Sequence, residues 1–225
     1  MLTESAKTLV PKFFDETGTT YDGVVSYGTL GKDKYWKRKM LEQISDGSSF
    51  LDLACGTGIL TREIAEKFPN SKIVGIDITK SYLEVAKKNS SYFENISFIL
   101  DDAEEFKLDS KFDCITASYL PKYCDPEILV KNCTTHLKPG GKIIFHDFTY
   151  PKNLVVRGLW NLFLTSLRLV GCFIPSWKDA LIGLPKLIRR TKWLESYSDV
   201  MKKNGLKVNR QYLTCGASAI LTGTK

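Results

Sequence analysis

The segment Ser49-Phe-Leu-Asp-Leu-Ala-Cys-Gly-Thr-Gly58 decides the fold of this 225-residue chain. Residues 49–53 are apolar enough to predict a short buried strand, and a helical pattern over 59–68 follows the glycine turn directly. Glycines at such a junction let the backbone approach a ligand, and the helix N-terminus offers unpaired N–H donors. The turn therefore predicts either a site for a polar, nucleotide-like ligand or a tight turn that only needs glycine dihedrals.

The alternation of strand and helix continues along the chain. Apolar runs predict further strands, and helical periodicity predicts helices between them. Asp125-Pro126 starts one helix, Thr79 or Ser81 is the candidate N-cap of another, and Lys138-Pro-Gly-Gly141 predicts a turn into the fifth strand. Apolar strands joined by helices predict a parallel, doubly wound sheet covered on both faces. The predicted strands are 72–76, 96–100, 112–117 and 142–148, and the helices are 79–89 and 126–136.

The last part of the chain has a different pattern. A helix over 194–204 is predicted to stop at Gly205, and two strands follow at 207–213 and 217–222. Only three residues separate these strands, so they must form an antiparallel hairpin. The expected fold class is therefore α/β, with a doubly wound, mostly parallel seven-stranded sheet that ends in an antiparallel hairpin.

Composition excludes several classes of protein. With 43% hydrophobic and 25% charged residues, the chain is neither disordered nor of low complexity. The first residues contain no apolar run suited to a signal peptide, so we expect a cytoplasmic protein. The six cysteines form no Cys-x-x-Cys pair and are expected to be reduced thiols. With only two histidines, His136 and His146, no metal site is predicted.

The net charge of +7 is concentrated in one segment. Residues 154–192 hold seven basic side chains against the single acid Asp179, which gives +6. The same segment is the most apolar part of the chain, but Arg157, Asn161 and Arg168 interrupt it, so we expect that it does not cross a bilayer. Two interpretations stay open. In the first, the segment is a helix that lies on an anionic membrane surface or covers an apolar pocket as a lid. In the second, it is a helix hairpin of the core whose arginine head groups reach the solvent.

The residues around the glycine turn restrict the ligand. Asp77 lies 19 residues after Gly58, where a carboxylate can accept hydrogen bonds from ribose hydroxyls. The dinucleotide pattern requires a third glycine where this chain has Thr61, and no lysine follows the loop as in a phosphate-binding P-loop. Asp52 would repel a pyrophosphate. A carboxylate at that position instead suits a ligand that carries an amino group.

Four motifs in this order resemble those of class I S-adenosylmethionine-dependent methyltransferases: Asp52–Gly58, Gly75–Asp77, Asp102–Glu104 and Leu137–Gly141. More narrowly, nearly the whole chain resembles the C-methyltransferases of menaquinone and ubiquinone biosynthesis. This resemblance implies a Rossmann-like methyltransferase fold over residues 1–225, with S-adenosylmethionine as cofactor. We expect a helical cover at 1–45 and a helical, apolar and basic insert at 152–193. The supporting segments are Tyr21-Asp22, Trp36-Lys-Arg38, Phe112–Ser118, Phe148-Thr-Tyr-Pro151 and Leu213–Gly216.

The resemblance also implies roles for individual residues. Each residue has a plain structural alternative, such as a helix cap for Asp77 or a strand-end hydroxyl for Ser118, but the ordered set along one sheet edge favours a binding site. The methionine amino group is expected at the Gly56–Gly58 loop and its Asp52 end. Asp77 is expected to hold the ribose. The remaining expected contacts are Thr61 and Ser118 on the methionine part, and Ile78, Asp102 and Ala103 on the adenine.

Methyl transfer from a sulfonium requires alignment and exclusion of water rather than a covalent nucleophile. If the acceptor is a ring carbon of a hydroquinone, a weak base or a positive charge must favour the phenolate. Lys122 occupies the position where the family has an arginine, and Val25 occupies the position where the family often has an asparagine. His146 is expected to be a hydrogen-bonded residue of the site wall. The candidates are Tyr21, Tyr27, Lys122, His146 and Asp147, of which we predict Tyr21, Lys122 and Asp147 to be catalytic.

The leading prediction is C-methylation of a polyprenylated quinol, with the insert shielding the tail at a membrane surface. The expected partners are a lipophilic small molecule and an anionic membrane, not a nucleic acid, because no amino-methylation signature of the Asn/Asp-Pro-Pro-Tyr/Phe type is present. A methyltransferase for another lipid or small molecule and a non-catalytic S-adenosylmethionine-binding protein stay as alternatives. A nicotinamide-dependent dehydrogenase is disfavoured by Thr61 and the terminal hairpin. The acceptor ring, its tail length and the oligomeric state stay open.

Overall fold

The computed structural model describes residues 9–14 and 17–225. Seven strands form one sheet in the order β3-β2-β1-β4-β5-β7-β6. Strands β1 to β5 pair in parallel, and β7 pairs antiparallel with both β5 and β6. The predicted fold class is confirmed. The strands are β1 Ser49–Leu53, β2 Lys72–Asp77, β3 Ile96–Leu100, β4 Phe112–Ser118, β5 Leu137–Phe148, β6 Lys207–Leu213 and β7 Ser218–Thr224.

The helices connect and cover these strands. The Asp125 side chain accepts the backbone N–H groups of Glu127 and Ile128 and so caps α6, as predicted. Thr79 precedes α5 in an extended conformation, and Gly205, with φ of 78°, follows the end of α9. The helices are α1 Leu9–Phe14, α2 Tyr21–Gly28, α3 Lys32–Leu41, α4 Ile59–Lys67, α5 Lys80–Asn89, α6 Pro126–Thr135, α7 Leu154–Gly171, α8 Lys178–Arg190 and α9 Trp193–Lys203.

Two element boundaries differ from the prediction. The predicted turn at 138–141 lies inside β5, because Leu137 already pairs with Phe112 and a bulge separates that pair from the rest of the ladder. The last strand is 218–224 rather than 217–222. Residues 214–216 form a 3-10 turn in which Cys215 adopts φ of 54°, so the chain re-enters the sheet later.

Both faces of the sheet are covered, as the continuous apolar strands predict. Successive residues of β5 face opposite sides: Ile143 and Phe145 belong to one hydrophobic cluster, and Ile144 belongs to the other. The first cluster includes buried side chains of α6 and α9, and the second includes side chains of α3 and α4. This double cover holds the carboxyl ends of the parallel strands along one edge.

The N-terminal helices and the insert meet in a third hydrophobic cluster, which contains Phe13 of α1, Tyr123, Trp177 and Leu181 of α8. The part of the predicted cover at residues 1–8 and 15–16 lies outside the described residues. Helices α7 and α8 occupy most of the segment 152–193. By length and composition alone, α7 is long and apolar enough to cross a membrane. The expectation that polar interruptions exclude a membrane span is therefore not supported by composition.

Candidate active site

A cavity opens at the carboxyl ends of the parallel strands, where ligands bind in open α/β sheets. It contains about 1250 Å³ of space, including space open to solvent at its mouth. The cavity is lined both by polar residues at the strand ends and by apolar side chains of the N-terminal helices and of the insert. The wall residues that follow successive strands are Gly56 after β1, Asp77 and Ile78 at β2, Asp102 and Ala103 after β3, and Ser118 and Tyr119 at β4.

The two glycines of the turn have different surroundings. Both have positive φ, 57° at Gly56 and 79° at Gly58. A Cβ on Gly56 would meet nothing closer than 3.7 Å, and this residue lines the cavity. A Cβ on Gly58 would lie 3.2 Å from Ala86 and from Arg62, and this residue does not line the cavity. Gly56 therefore leaves space for a ligand against its backbone, whereas Gly58 allows the start of α4 to pack closely.

Asp77 ends β2 and lines the cavity, although it is buried. One carboxylate oxygen accepts the Gly56 N–H at 2.8 Å, and the other accepts the Thr79 N–H at 2.8 Å. Burial raises the pKa of Asp77, and these backbone hydrogen bonds oppose that rise. The carboxylate is thus fixed between the glycine turn and the start of α5. The Thr79 hydroxyl also hydrogen-bonds to this carboxylate. Because Asp77 lines the cavity, its oxygens are placed to accept a ribose hydroxyl there.

Asp52 and Thr61 lie behind the cavity wall and do not line it. The Asp52 carboxylate accepts the Thr61 hydroxyl at 2.7 Å and the Thr116 hydroxyl at 2.8 Å. Burial raises its pKa to about 6. Asp52 and Thr61 were predicted to contact the ligand directly, but neither residue lies on the wall of the cavity. Asp52 instead ties β1 to α4 and β4 beneath the glycine turn.

The side expected to hold an adenine combines apolar and acidic groups. Ile78 is 47% exposed at the cavity, and Ala103 lies on the wall after β3. One Asp102 oxygen accepts the Glu104 N–H at 2.9 Å, which fixes the turn that presents Asp102 to the cavity. The predicted residues on this side are therefore brought together at one wall.

Ser118 is the first residue of a buried hydrogen-bonded chain. Its hydroxyl lies 2.9 Å from His146 Nδ1, His146 Nε2 lies 2.7 Å from the Ser218 hydroxyl, and Ser218 donates to the Asp147 carbonyl at 3.3 Å. Burial lowers the pKa of His146 well below its usual value, so the ring is neutral. All three bonds form together only if Nε2 carries the proton and Ser118 donates to Nδ1. Ser118 then offers lone pairs, not a hydrogen, to the cavity.

Lys122 forms a fully buried ion pair with Asp147. Its ammonium donates to Asp147 Oδ1 at 2.9 Å and to the Tyr119 carbonyl. The rings of Tyr123, Tyr119 and Phe148 surround it at 4.4, 5.5 and 5.9 Å. Burial lowers the pKa of Lys122, and the carboxylate of Asp147 opposes that shift. Lys122 lines the cavity, but Asp147 does not. Asp147 is therefore a residue that positions Lys122 rather than a base in contact with an acceptor.

Two aromatic residues beside Lys122, Tyr119 and Tyr123, were not predicted to belong to the site. Among the described residues, the buried hydroxyl of Tyr123 has no hydrogen-bond partner, and Tyr123 lines the cavity. A buried hydroxyl without a partner is costly, so its place on the cavity wall favours a ligand oxygen there. Tyr119 has a positive φ of 65° and donates its hydroxyl to Asp33 at 2.8 Å. The sequence offered one signal for both residues, which is that they follow the end of β4, where ligands of parallel sheets bind.

The cavity is covered by aromatic side chains from distant parts of the chain. Tyr21 packs against Tyr82, with ring centroids 5.0 Å apart, and stacks on Trp177 at 6.1 Å. Burial raises the pKa of Tyr21 well above its usual value, so its phenol stays protonated and cannot act as the base. Tyr27 is 85% exposed and lies outside the cavity wall. The cover therefore excludes water rather than supplying a base.

The family comparison agrees with this geometry. Residues 44–167 match the family described as "Methyltransferase domain". The ubiquinone/menaquinone biosynthesis C-methyltransferase UbiE of Hahella chejuensis is 29% identical over 96% of this chain and 91% of that protein. The demethylmenaquinone methyltransferase of Chlorobaculum tepidum is 28% identical over 92% of this chain and 88% of that protein.

Solved structures share the fold at lower identity. The magnesium protoporphyrin IX methyltransferase ChlM of Synechocystis, with bound S-adenosylmethionine, is 13% identical with a TM-score of 0.63, and the match covers 100% of this chain and 99% of that one. The phosphoethanolamine N-methyltransferase 2 of Haemonchus contortus is 14% identical with a TM-score of 0.66, covering 99% of this chain and 60% of that one. At these identities the likeness concerns the fold alone.

Proposed function

The chain belongs to the methyltransferase-domain family and uses S-adenosylmethionine as methyl donor, and from this premise we propose that its acceptor is a ring carbon of a polyprenylated quinol. The observation that carries the proposal is that one buried cation, Lys122, lies beside the Tyr123 hydroxyl, which has no hydrogen-bond partner among the described residues, and that both residues line the cavity together with many apolar side chains. These groups suit a single phenolic oxygen on an oily molecule.

The strand-end wall fits the donor. S-adenosylmethionine supplies an electrophilic methyl group on a positively charged sulfur. Gly56 leaves room against its backbone, and the fixed carboxylate of Asp77 can accept ribose hydroxyls. Ser118 offers lone pairs that suit an ammonium, and Ile78 and Ala103 offer apolar surface for an adenine. Each of these groups would hold a different part of the donor.

The Lys122 side of the cavity fits the acceptor. Two of the three ammonium N–H groups are used by Asp147 and Tyr119, so one is left to donate to an acceptor oxygen. The Tyr123 hydroxyl can bond to the same oxygen. In a cavity sheltered from water, a fixed positive charge stabilises a developing phenolate more than the same charge would in water. The ring carbon beside that oxygen thereby becomes a better nucleophile.

An apolar wall next to these groups suits a prenyl tail. It is formed by side chains from the N-terminal helices and from both helices of the insert, which include Val10, Phe14, Val24, Leu167, Leu181 and Leu184. None of these side chains can hydrogen-bond to a ligand, so they favour hydrocarbon over a polar group. Their number supports an acceptor with a long apolar tail over a small polar metabolite.

In the proposed reaction a bond forms between the ring carbon and the methyl group while the methyl–sulfur bond of the sulfonium breaks and leaves a neutral thioether. The hydrogen of that ring carbon is lost as a proton that ends in the solvent, so the quinol ends neutral. The chain needs no covalent nucleophile. Lys122 and Tyr123 hold the oxygen, the aromatic cover formed by Tyr21, Tyr82 and Trp177 excludes water, and Asp147 fixes the ammonium. The contribution of the protein is thus alignment and electrostatic stabilisation.

The proposal is tested with purified protein, S-adenosylmethionine and a reduced prenylated naphthoquinol that lacks the ring methyl group. Mass spectrometry should show a product one methyl group heavier. Lys122→Met should lower the turnover of the quinol by two or more orders of magnitude, while Lys122→Arg, which keeps the charge, should retain much of it. Donor affinity should stay unchanged in both variants, since Lys122 lies on the acceptor side.

Quinone profiles of cells with and without the gene provide the second readout. Loss of the gene should lead to accumulation of a quinone one methyl group lighter. If the purified protein binds S-adenosylmethionine but methylates no quinol, and the profiles are identical, the acceptor is another lipid or small molecule and the proposal is wrong. A protein that binds the donor and methylates nothing would instead be a non-catalytic binding protein.

A further inference from the structure

Helix α7 has an outer face that the described part of the chain, residues 9–14 and 17–225, leaves uncovered. We define this outer face as Val155, Leu159, Leu162, Leu169 and Val170, continued by Phe173. Leu159, Leu162 and Leu169 are 64–69% exposed, and Phe173 is 86% exposed. Spacings of three, four and seven residues place the helical members on one side of α7. Of the fourteen large hydrophobic side chains exposed in the described residues, seven lie between Leu154 and Phe173.

The opposite side of α7 belongs to the domain. Leu164 is buried, and a Cβ on Gly171 would lie 2.8 Å from Leu181 of α8, so the two helices pack closely. Leu167 lines the cavity. Helix α7 therefore separates the cavity from the outer surface, with a thickness of one helix, ~10 Å. An apolar face of this size on a single soluble domain marks an interaction surface.

The charges of the segment that contains α7 indicate what covers the outer face. The segment 154–192 has a net charge of +6, with Asp179 as its one acid. Lys178, Lys186 and Arg190 are exposed on α8, and Lys152 is exposed just before α7. A second copy of the chain placed on this face would bring two such basic segments together. An anionic lipid surface would neutralise them and also accept the apolar side chains.

We propose that the protein docks on anionic phospholipid membranes through the outer face of α7, with the basic residues of α8 next to the lipid headgroups. The helix lies on the membrane surface and does not cross it, because its inner side is packed against α8 and lines the cavity. Docking places the apolar wall of the cavity one helix away from the membrane. A lipophilic molecule could thus enter the cavity without crossing much water.

Co-sedimentation of the full-length protein with vesicles tests the proposal. Binding to phosphatidylglycerol-containing vesicles should exceed binding to pure phosphatidylcholine vesicles, and it should fall steeply as salt approaches 1 M, where the screening length is only ~3 Å. Replacing three basic residues with glutamine should weaken binding by ~100-fold, since each basic residue near an anionic surface contributes about fivefold. The variant is Lys178→Gln with Lys186→Gln and Arg190→Gln, and its charge-matched control is Lys87→Gln with Lys88→Gln and Lys107→Gln.

The apolar part has its own variant and control. Leu159→Gln with Leu162→Gln should reduce vesicle binding at every salt concentration, while Tyr92→Gln with Ile128→Gln, which changes two exposed hydrophobic side chains elsewhere, should leave it unchanged. Folding is expected to persist, because the replaced side chains are exposed. Donor affinity and turnover of a short-chain, water-soluble quinol should match the wild type. These controls do not involve membranes, so a failure of docking and a failure of the proposed acceptor give different results.

Three outcomes would overturn the proposal. The first is equal binding of wild-type protein to anionic and neutral vesicles. The second is a dimer that the Leu159→Gln, Leu162→Gln variant dissociates, because the outer face would then join two copies. The third is protein that stays in the membrane after alkaline carbonate extraction, because α7 would then span the bilayer. Selective, salt-sensitive and extractable binding that the α7 variant weakens would support it.

Discussion

Replacing Asp77 with alanine should weaken donor binding without removing the fold. The carboxylate accepts two backbone N–H groups at 2.8 Å, also hydrogen-bonds to the Thr79 hydroxyl, and lines the cavity where a ribose is expected. A hydrogen bond to a charged acceptor contributes ~1.5–3 kcal/mol. Because water partly replaces a lost bond, we expect the net loss of about one such bond, which raises the dissociation constant ~10- to 150-fold.

Calorimetry on Asp77→Ala should therefore show the same weakening for S-adenosylmethionine and for S-adenosylhomocysteine, since both contain the ribose. The control Asp109→Asn changes an exposed acid elsewhere and should leave both affinities unchanged. Thermal unfolding separates a binding defect from a loss of structure at the Gly56 turn. A folded Asp77→Ala protein with wild-type affinity for both molecules would refute the assignment of this carboxylate to the ribose.

Three further predictions concern the residues around the donor side. Ser118→Ala and His146→Phe should each weaken donor affinity severalfold, because each removes the hydrogen bond that turns the Ser118 lone pairs toward the cavity. The double variant should bind the donor no more weakly than either single variant. Additive losses of affinity in calorimetry would contradict this. The pKa of Asp52 is about 6 in the folded state and therefore lies above its value in the unfolded chain. Protonated Asp52 thus contributes stability below about pH 4, and this contribution is lost as pH rises from about 4 to 6. Asp52→Asn should remove this pH-dependent contribution, which is at most ~3 kcal/mol and can be measured by denaturant titrations across that range. Gly56→Ala should mainly lower donor affinity, whereas Gly58→Ala should mainly lower the melting temperature, because only at Gly58 does the new Cβ meet neighbours at 3.2 Å; a reversed pattern would contradict the separation of their roles.

Much of the fold could be predicted from local sequence pattern. Apolar runs, helical periodicity and the three-residue link before β7 are short-range signals, and together they gave the parallel sheet and its terminal hairpin. The errors fell where backbone irregularity decides the boundary. The bulge between β4 and β5 and the left-handed conformation of Cys215 depend on pairing with distant strands, which a local pattern does not contain.

The site could be predicted only in part, for a related reason. Spacing along the chain places Asp77 and Ser118 at strand ends, and the structure brings both to the cavity. Spacing along the chain does not tell which way a side chain within a strand points. Asp52 pairs in register with Thr116 and faces the interior, where hydroxyls hold it. The cover joins Tyr21 to Trp177, more than a hundred residues later, and such a contact has no periodic signal.

The charge balance of the cavity narrows the class of acceptor. Among the described residues on its wall, Lys122 is the one basic residue, and Asp147 already neutralises it. The other ionisable groups on the wall include the acids Asp77, Asp101 and Asp102. One ammonium paired with one carboxylate can donate to a single phenolic oxygen and stabilise negative charge that develops on it. It offers too little positive potential for a phosphate or a polynucleotide backbone, which needs several uncompensated cations. Seven of the 32 basic residues of the chain lie in the segment 154–192, which contains α7 and α8, and none of these seven lines the cavity. Under the two proposals the electrostatic tasks are separate: the cavity would hold a neutral, apolar acceptor, and the outer face of α7 would contact the anionic layer that supplies it.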